Sequence, residues 1–270
     1  MNWPDLGMGL GFRAPIGDSI RRHHEEIQWV EVISENYFGN ALADLSDIAS
    51  LFPVVPHGVE LSIGSVERPD EEYLSQLAAV LMTSKAAWFS DHLCFTKADG
   101  VETGLLLPVP LTHEMAVIIG RRARYLQDWA NRPFLLENIF RSFVLQGDMT
   151  ETAFIKKVLD EADCGLLLDL TNLCYVAWNE QADPVERLLE FPLSRVVQVH
   201  VAGGSKTPRG LWADTHSAPV PEAVWGLLKE LVRRTHVRAV LLERDQNFPE
   251  DFKEILDDLA TGRRILGSGR

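Results

Sequence analysis

The sequence predicts an α/β protein built as a single (β/α)8 TIM barrel, and three observations carry that prediction. Eight short Val/Leu/Ile-rich runs are spread along the 270 residues, and nearly continuous apolar runs are what parallel strands covered on both faces require. Segments with helical period separate the runs, so strand and helix alternate eight times. No Pro/Gly/Ser-rich stretch interrupts the alternation to mark a domain boundary, and 270 residues is an ordinary length for one such barrel.

In chain order the predicted strands are 7–12 (GMGLGF), 28–34 (QWVEVIS), 54–58 (VVPHG), 87–93 (AWFSDHL), 134–139 (FLLENI), 165–170 (GLLLDL), 196–202 (VVQVHVA) and 238–245 (RAVLLERD). Among the helices, 111–131 has Thr112 as N-cap, an apolar stripe of Met115, Ile118, Ile119, Leu126 and Trp129, and Pro133 just past its end. Thr150 caps 151–162, where Phe154, Val158, Leu159 and Ala162 align. Pro219 and Pro221 open 221–234, with Val224, Trp225, Leu227, Leu228 and Leu231 facing inward. The segments 70–85 and 248–261 read the same way, and weaker helical patterns occupy 17–27, 41–51 and 181–190. The barrel is expected over residues 1–261, with 262–270 (GRRILGSGR) as a flexible tail. The competing open doubly wound sheet would carry a Gly-rich phosphate turn after its first strand. Here GMGLGFRAP runs into Pro15 instead of a helix start.

The formal charge of −13 disfavours nucleic acid as a partner. Cys94, Cys164 and Cys174 form no CxxC pair, which suits a reducing compartment. Residues 1–6 show no charged n-region followed by an apolar h-region, and no apolar stretch reaches the length of a membrane span. A cytoplasmic protein without a membrane partner is the expectation.

Most of the apolar runs end in a residue able to bind a metal: Glu35, His57, Asp91 with His92, Glu137, Asp169, His200, and Glu243 with Asp245. Strand alternation puts Gln198 and His200 on one face and Val197, Val199 and Val201 on the other. It likewise groups Leu167 with Asp169, and Leu241 with Glu243 and Asp245. Active sites of such barrels lie at the carboxyl ends of the strands. After the seventh strand, LWADTHSAPV sets Asp214 and His216 two apart on a loop, and Asn172 follows Asp169 by three. The ligand pool is then His57, His92, Glu137, Asp169, Asn172, His200, Asp214, His216 and Glu243, with Asn172, Asp214 and His216 also the candidate catalytic residues. Nine N/O donors suit two or three ions, and a set without thiolate fits iron, manganese or catalytic zinc. Each residue alone has a plainer reading: His57 as a hydrogen-bonded core histidine, Glu137 or Asp169 as a helix cap or ion-pair partner, the DTH triplet as an Asx-turn. Their coincidence at successive strand ends favours a joint site. His23, His24, His113 and His236 read as surface residues, and Cys94 as a packed core thiol.

At these residues the chain resembles the multinuclear non-heme iron-dependent oxidases, a methanobactin-biosynthesis-oxidase-like group formerly of unknown function. The matching segments are SENYFG (34–39), HGVELSIGS (57–65), SDHL (90–93), LLLPVPLTHE (105–114), LLEN (135–138), CGLLLDLTNL (164–173), VHVAGGS (199–205), DTHSAPVPEAVW (214–225) and LLERDQNFP (241–249). The resemblance implies a xylose-isomerase-like barrel holding two or three iron ions in a mixed Fe(II)/Fe(III) state, with O2 as co-substrate. It implies that His57, His92 and Glu137 serve one iron. Glu137 then bridges to a second iron, which also takes Asp169, His200 and Glu243. Asn172, Asp214 and His216 hold a third, while Glu35, Asp91 and Asp245 orient ligands. Members modify cysteines of ribosomally made precursor peptides, often with a small partner protein that recognises the leader. Their reactions include oxazolone/thioamide formation and excision of the cysteine β-carbon. Two departures stand out: Ile16 in GFRAPIGDS where relatives often carry His, and ENIFRSF in place of an ENPSS-like segment.

The expected function is therefore an O2-dependent iron oxidase acting on a peptidyl cysteine. Two rivals share the sequence features. One is a divalent-metal sugar isomerase or epimerase, or a zinc phosphodiesterase, on the same barrel. The other is a non-catalytic, metal-dependent peptide-binding scaffold.

Overall fold

The computed structural model describes residues 3–268. Eight parallel strands close on themselves: β1 (Gly7–Gly11), β2 (Val30–Ile33), β3 (Val54–Gly58), β4 (Phe89–His92), β7 (Phe134–Glu137), β8 (Gly165–Asp169), β9 (Val196–Lys206) and β11 (Ala239–Glu243). The β8–β9, β9–β11 and β11–β1 pairings complete the ring, so the predicted barrel is the observed one. The remaining strands lie outside it. A hairpin joins β5 (Phe95–Ala98) to β6 (Val101–Leu107), and β10 (Trp212–Ala218) runs antiparallel to the extended end of β9.

The helices form the outer layer: α1 (Gly17–Arg22), α2 (Leu42–Leu51), α3 (Glu71–Ser84), α4 (His113–Ala130), α5 (Glu151–Ala162), α6 (Leu170–Asn179), α7 (Pro184–Glu190), α8 (Glu222–Val232) and α9 (Lys253–Ser268). Thr112 and Thr150 cap α4 and α5 by accepting from the amides of Met115 and Ala153, as their positions predict. Two expectations need correction. Residues 262–268 are not a flexible tail but the last turns of α9: Ile265 is buried, and a Cβ at Gly262 would run into Met8 Sδ of β1. Residues 269–270 lie outside the described part. Asp214 and His216 sit on strand β10 rather than on a loop. Its pairing shifts between Ala213 and Ala218, and His216 has φ +44°, so a bulge gives the segment its loop-like sequence.

Inside the barrel, Trp29, Val55, Trp88, Leu135, Leu167, Val197, Ala239 and Leu241 form a closed apolar plug, with Trp3 and Leu6 packed against it. Val197 belongs here and not with Val199 and Val201. The β8–β9 register passes from Leu166↔Val196 to Leu167↔Gln198, and the extra residue turns Val197 inward. Directly above the plug, Trp88 Nε1 donates to Gln198 Oε1 at 2.8 Å, so the apolar floor hands over to a polar layer at a defined height. Among the described residues no helix is long and apolar enough to cross a membrane.

On α9, half-buried Asp258 accepts a hydrogen bond from the Val220 amide, and burial pushes its carboxyl up to about 6 from an ordinary 3.8. Between about pH 4 and about pH 6 the folded chain therefore holds a proton that the unfolded chain has lost, and stability falls as pH rises through that window. Urea midpoints measured across it should fall less steeply for Asp258→Asn than for the parent. Identical slopes would show that Asp258 does not titrate abnormally.

Candidate metal centre

Strand register sets the height of the site. His92 is opposite Glu137 across β4–β7, and Asp169 is opposite His200 across β8–β9. His57 and Glu243 occupy the upper ends of β3 and β11. None of these six residues is more than 8% exposed. Glu137 is the centre of the arrangement. Its Oε2 lies 3.1 Å from His57 Nε2 and 3.4 Å from His92 Nε2, and its Oε1 lies 3.2 Å from His200 Nδ1. His200 Nδ1 is also 3.2 Å from Glu243 Oε2.

Four sets of donor atoms come together within 4.8 Å of one another: His57/His92/Glu137, Glu137/Asp169/His200, Asp169/His216/Glu243 and Glu31/His200/Glu243. The first matches one predicted ligand set. The second matches another except for Glu243, which joins Asp169 together with His216 and joins His200 together with Glu31.

Asn172 and Asp214 complete the predicted pool from outside the barrel. Asp169 caps α6 through the Asn172 amide at 2.7 Å, which fixes Asn172 in the first turn beside the carboxylate. Asp214 Oδ1 stands 2.5 Å from His216 Nε2 and reaches the cluster through that contact. The strand that carries both is held by α6: Asn179 accepts from the Trp212 amide and donates to its carbonyl, both at 2.9 Å. Trp212 also stacks on Tyr175.

Each imidazole has one nitrogen tied away from the centre, which orients the other. His57 Nδ1 bonds Ser90 Oγ at 2.9 Å, and His92 Nδ1 donates to the Gly58 carbonyl at 3.1 Å. His200 Nε2 donates to Glu31 and His216 Nδ1 to Asp245, each at 3.0 Å. The predicted supporting groups divide accordingly. Asp245 does orient an imidazole, and Arg13 Nε holds its other oxygen at 2.6 Å. Glu35 and Asp91 fix backbone instead. Glu35 accepts from the amides of Val59 and Glu60 and from Tyr73 Oη. Asp91 accepts from the amides of Leu61 and His92, and a Cβ at Gly58 would collide with it.

Several inward atoms approach one another without bonding. Glu137 Oε2, Asp169 Oδ2, Asn172 Oδ1 and His200 Nδ1 are buried without a hydrogen-bond partner, and Asp214 Oδ1 and His216 Nε2 face only each other. Polar atoms buried this way are costly unless something between them accepts their lone pairs. The donor set is entirely nitrogen and oxygen: Cys94 is buried and its thiol is pushed well above its ordinary range, first by burial and then by Asp91 and Glu137. Such a set fits hard or borderline divalent and trivalent cations. Charge balance agrees. Burial raises the Glu137 carboxyl, but His200, His92 and His57 outweigh it and bring it down to about 2. Burial lowers His200 and His216, yet the surrounding carboxylates hold both well above the ordinary histidine value. Asp169, buried beside Asp214 and Glu137, is pushed well up.

Three residues of the site escaped sequence reasoning: Glu31, Gln198 as a hydrogen-bonding partner, and Arg13. Glu31 was detectable as the one charged side chain between Val30 and Val32 of an apolar strand, on the same face as Trp29. Arg13 lies two residues past the end of β1 and supplies a fixed cation at the rim, with Glu243 at 3.0 Å. Ile16, at the position of the sequence departure, is buried in the core.

A family described as RiPP precursor modification enzyme MbnB/TglH/ChrH matches residues 7–266. A UPF0276 protein of Caulobacter vibrioides is 35% identical over 99% of this chain and 96% of its own length. A UPF0276 protein of Anaeromyxobacter sp. is 39% identical over 90% and 87%. Among solved structures, a xylose isomerase-like TIM barrel protein from Mycobacterium smegmatis in complex with magnesium has a TM-score of 0.64 at 13% identity, covering 99% of this chain and 98% of that one. An L-ribulose 3-epimerase has a TM-score of 0.58 at 14% identity, covering 98% and 96%. At such identity the structural likeness is one of fold. The sequence match runs through every segment that supplies the cluster, and on it the chain belongs to the RiPP precursor modification enzymes of the MbnB/TglH/ChrH family.

Proposed function

We propose that this protein is a multinuclear iron-dependent oxidase that uses O2 to modify cysteine residues of a ribosomally synthesised precursor peptide. The observation that carries the reading is the set of buried nitrogen and oxygen atoms that converge around Glu137 with no partner of their own. His57, His92 and Glu137 would hold one ion; Glu137, Asp169, His200 and Glu243 a second; and Asn172, Asp214 and His216 a third. Iron bound there supplies one-electron chemistry with O2 and a Lewis acid for the substrate thiolate.

The chain's own residues do the rest. The plug below Gln198 closes the lower end of the barrel to water. The side chains of His57, Glu137 and His200 are at most 3% exposed, whereas those of His92, Asp214, His216 and Asp245 are 11%, 21%, 12% and 34% exposed. A peptide therefore meets the cluster at the open mouth of the barrel, where these four side chains are reachable. Asp214, whose Oδ1 lies 2.5 Å from His216 Nε2, is a carboxylate at that mouth able to accept the thiol proton. Fixed imidazoles and a dry floor keep the geometry set before substrate arrives.

Three outcomes follow. Protein purified without oxygen, together with its precursor peptide and any small partner protein, should contain iron and change the mass of the peptide only when O2 is admitted. Activity with zinc alone, or a preparation free of iron, would sink the proposal. His216→Ala should keep its fold by circular dichroism and lose about 100-fold or more of the turnover; full activity would remove His216 from the site. Finally, Fe(II) added anaerobically to stripped protein at about a hundredfold excess over Kd should stabilise it by about 2.7 kcal/mol, a rise in Tm of roughly 5–10 °C. His200→Ala should show a much smaller rise.

A further inference from the structure

The four imidazoles of the cluster are not held alike. His57 and His92 are hydrogen-bonded to neutral groups, the Ser90 hydroxyl and the Gly58 carbonyl, with the Asp91 carboxylate beyond hydrogen-bond reach of His92 Nδ1 at 3.9 Å. His200 and His216 are tied by carboxylates, Glu31 and Asp245. A carboxylate that accepts a ring N–H draws the proton toward itself and leaves the opposite nitrogen a stronger donor, whereas a hydroxyl or carbonyl does so far less. A stronger donor favours the higher charge state of whatever metal it binds.

The two carboxylates differ as well. The Asp245 side chain is 34% exposed and shares its charge with Arg13, which donates to it at 2.6 Å. Glu31 is 1% exposed. Its Oε2 takes the His200 N–H and a 2.5 Å hydrogen bond from Gln198 Nε2, its Oε1 has no partner, and Trp88 locks Gln198 from below. With less screening and no direct cation, Glu31 acts on His200 more strongly than Asp245 acts on His216.

Building on the iron reading above, we infer that Glu31 is a positioning carboxylate that makes the ion held by His200 the hardest of the cluster to reduce, and leaves the ion of His57 and His92 the first to become ferrous. The mixed valence of the cluster is thus ordered by the hydrogen bonds behind the ligands and not by the ligands alone. Each ferric ion takes one electron on reduction, so the order is directly measurable.

The test is a stepwise anaerobic reduction of 57Fe-reconstituted protein with dithionite and mediators, followed by Mössbauer and EPR spectroscopy. The parent should show separate steps. Glu31→Gln should keep the iron count and the first step and should raise the potential of the last. The expected change is a tenfold or greater fall in the Fe(III)/Fe(II) affinity ratio at that ion, about 59 mV for a one-electron couple. Ser90→Ala should leave the order intact. Unchanged potentials in Glu31→Gln overturn the inference, as does loss of one iron, which would make Glu31 a ligand. If Glu31→Gln does not fold, Asp245→Asn takes its place: it should raise only the step of the ion held by His216, and no change there counts against the inference equally. A parent protein that takes up no iron refutes the proposed function itself, a result distinct from iron that binds with indifferent potentials.

Discussion

Everything at the mouth of this barrel depends on burying carboxylates together. Glu31, Glu137, Asp169 and Glu243 are all at most 7% exposed within one layer, and each buried charge costs several kcal/mol unless it is paired. Arg13 neutralises one corner, where it spans Glu243 and Asp245. Imidazoles cover the others, and in doing so direct their free nitrogens at the same central space. The arrangement is stable as a set of mutual obligations: remove one histidine and a neighbouring carboxylate is left with neither proton nor partner.

The barrel below supplies what that layer lacks, which is rigidity from apolar packing. The two tryptophans of the plug are fully buried, and Trp88 uses its only polar atom to hold Gln198. The register shift in β9 is part of the same construction. It inserts Val197 into the plug and so sets the height at which Gln198 and His200 emerge. A bulge at the foot of the strand thus determines where His200 stands near its top. His216 shows the opposite economy: its left-handed backbone costs about 1–3 kcal/mol in a residue with a Cβ, and the Asp245 amide bonding its carbonyl at 2.9 Å helps to hold it there.

The barrel was legible because its eight strands are short, apolar and separated by well-capped helices, and the strand-end candidates for metal ligands were legible because a polar residue ending such a run is conspicuous. What lay hidden obeys other rules. Glu31 sits inside an apolar strand, where a single charge reads as an exception until its partners from β9 are known. The β10 segment carries a bulge and a left-handed residue, so its sequence looks like a turn. Val197 follows a register shift that period-2 counting cannot detect. The end of α9 looked like a tail because it is rich in glycine and arginine, yet Gly262 is there to let the helix lie against Met8. Each of these depends on a contact distant in sequence.

The placement of β10 divides the cluster mechanically. His57, His92, Glu137, Asp169, His200 and Glu243 are anchored in a ring of strands that is closed by hydrogen bonds all the way round. Asp214 and His216 ride on a ribbon outside that ring, paired with the extended end of β9, gripped by the Asn179 amide and the Tyr175 ring of α6, and bonded at the His216 carbonyl by the Asp245 amide. A change in the length or twist of the ribbon can alter how far these two side chains reach without opening the barrel. One part of the centre is therefore architecture, and the other is an adjustable jaw.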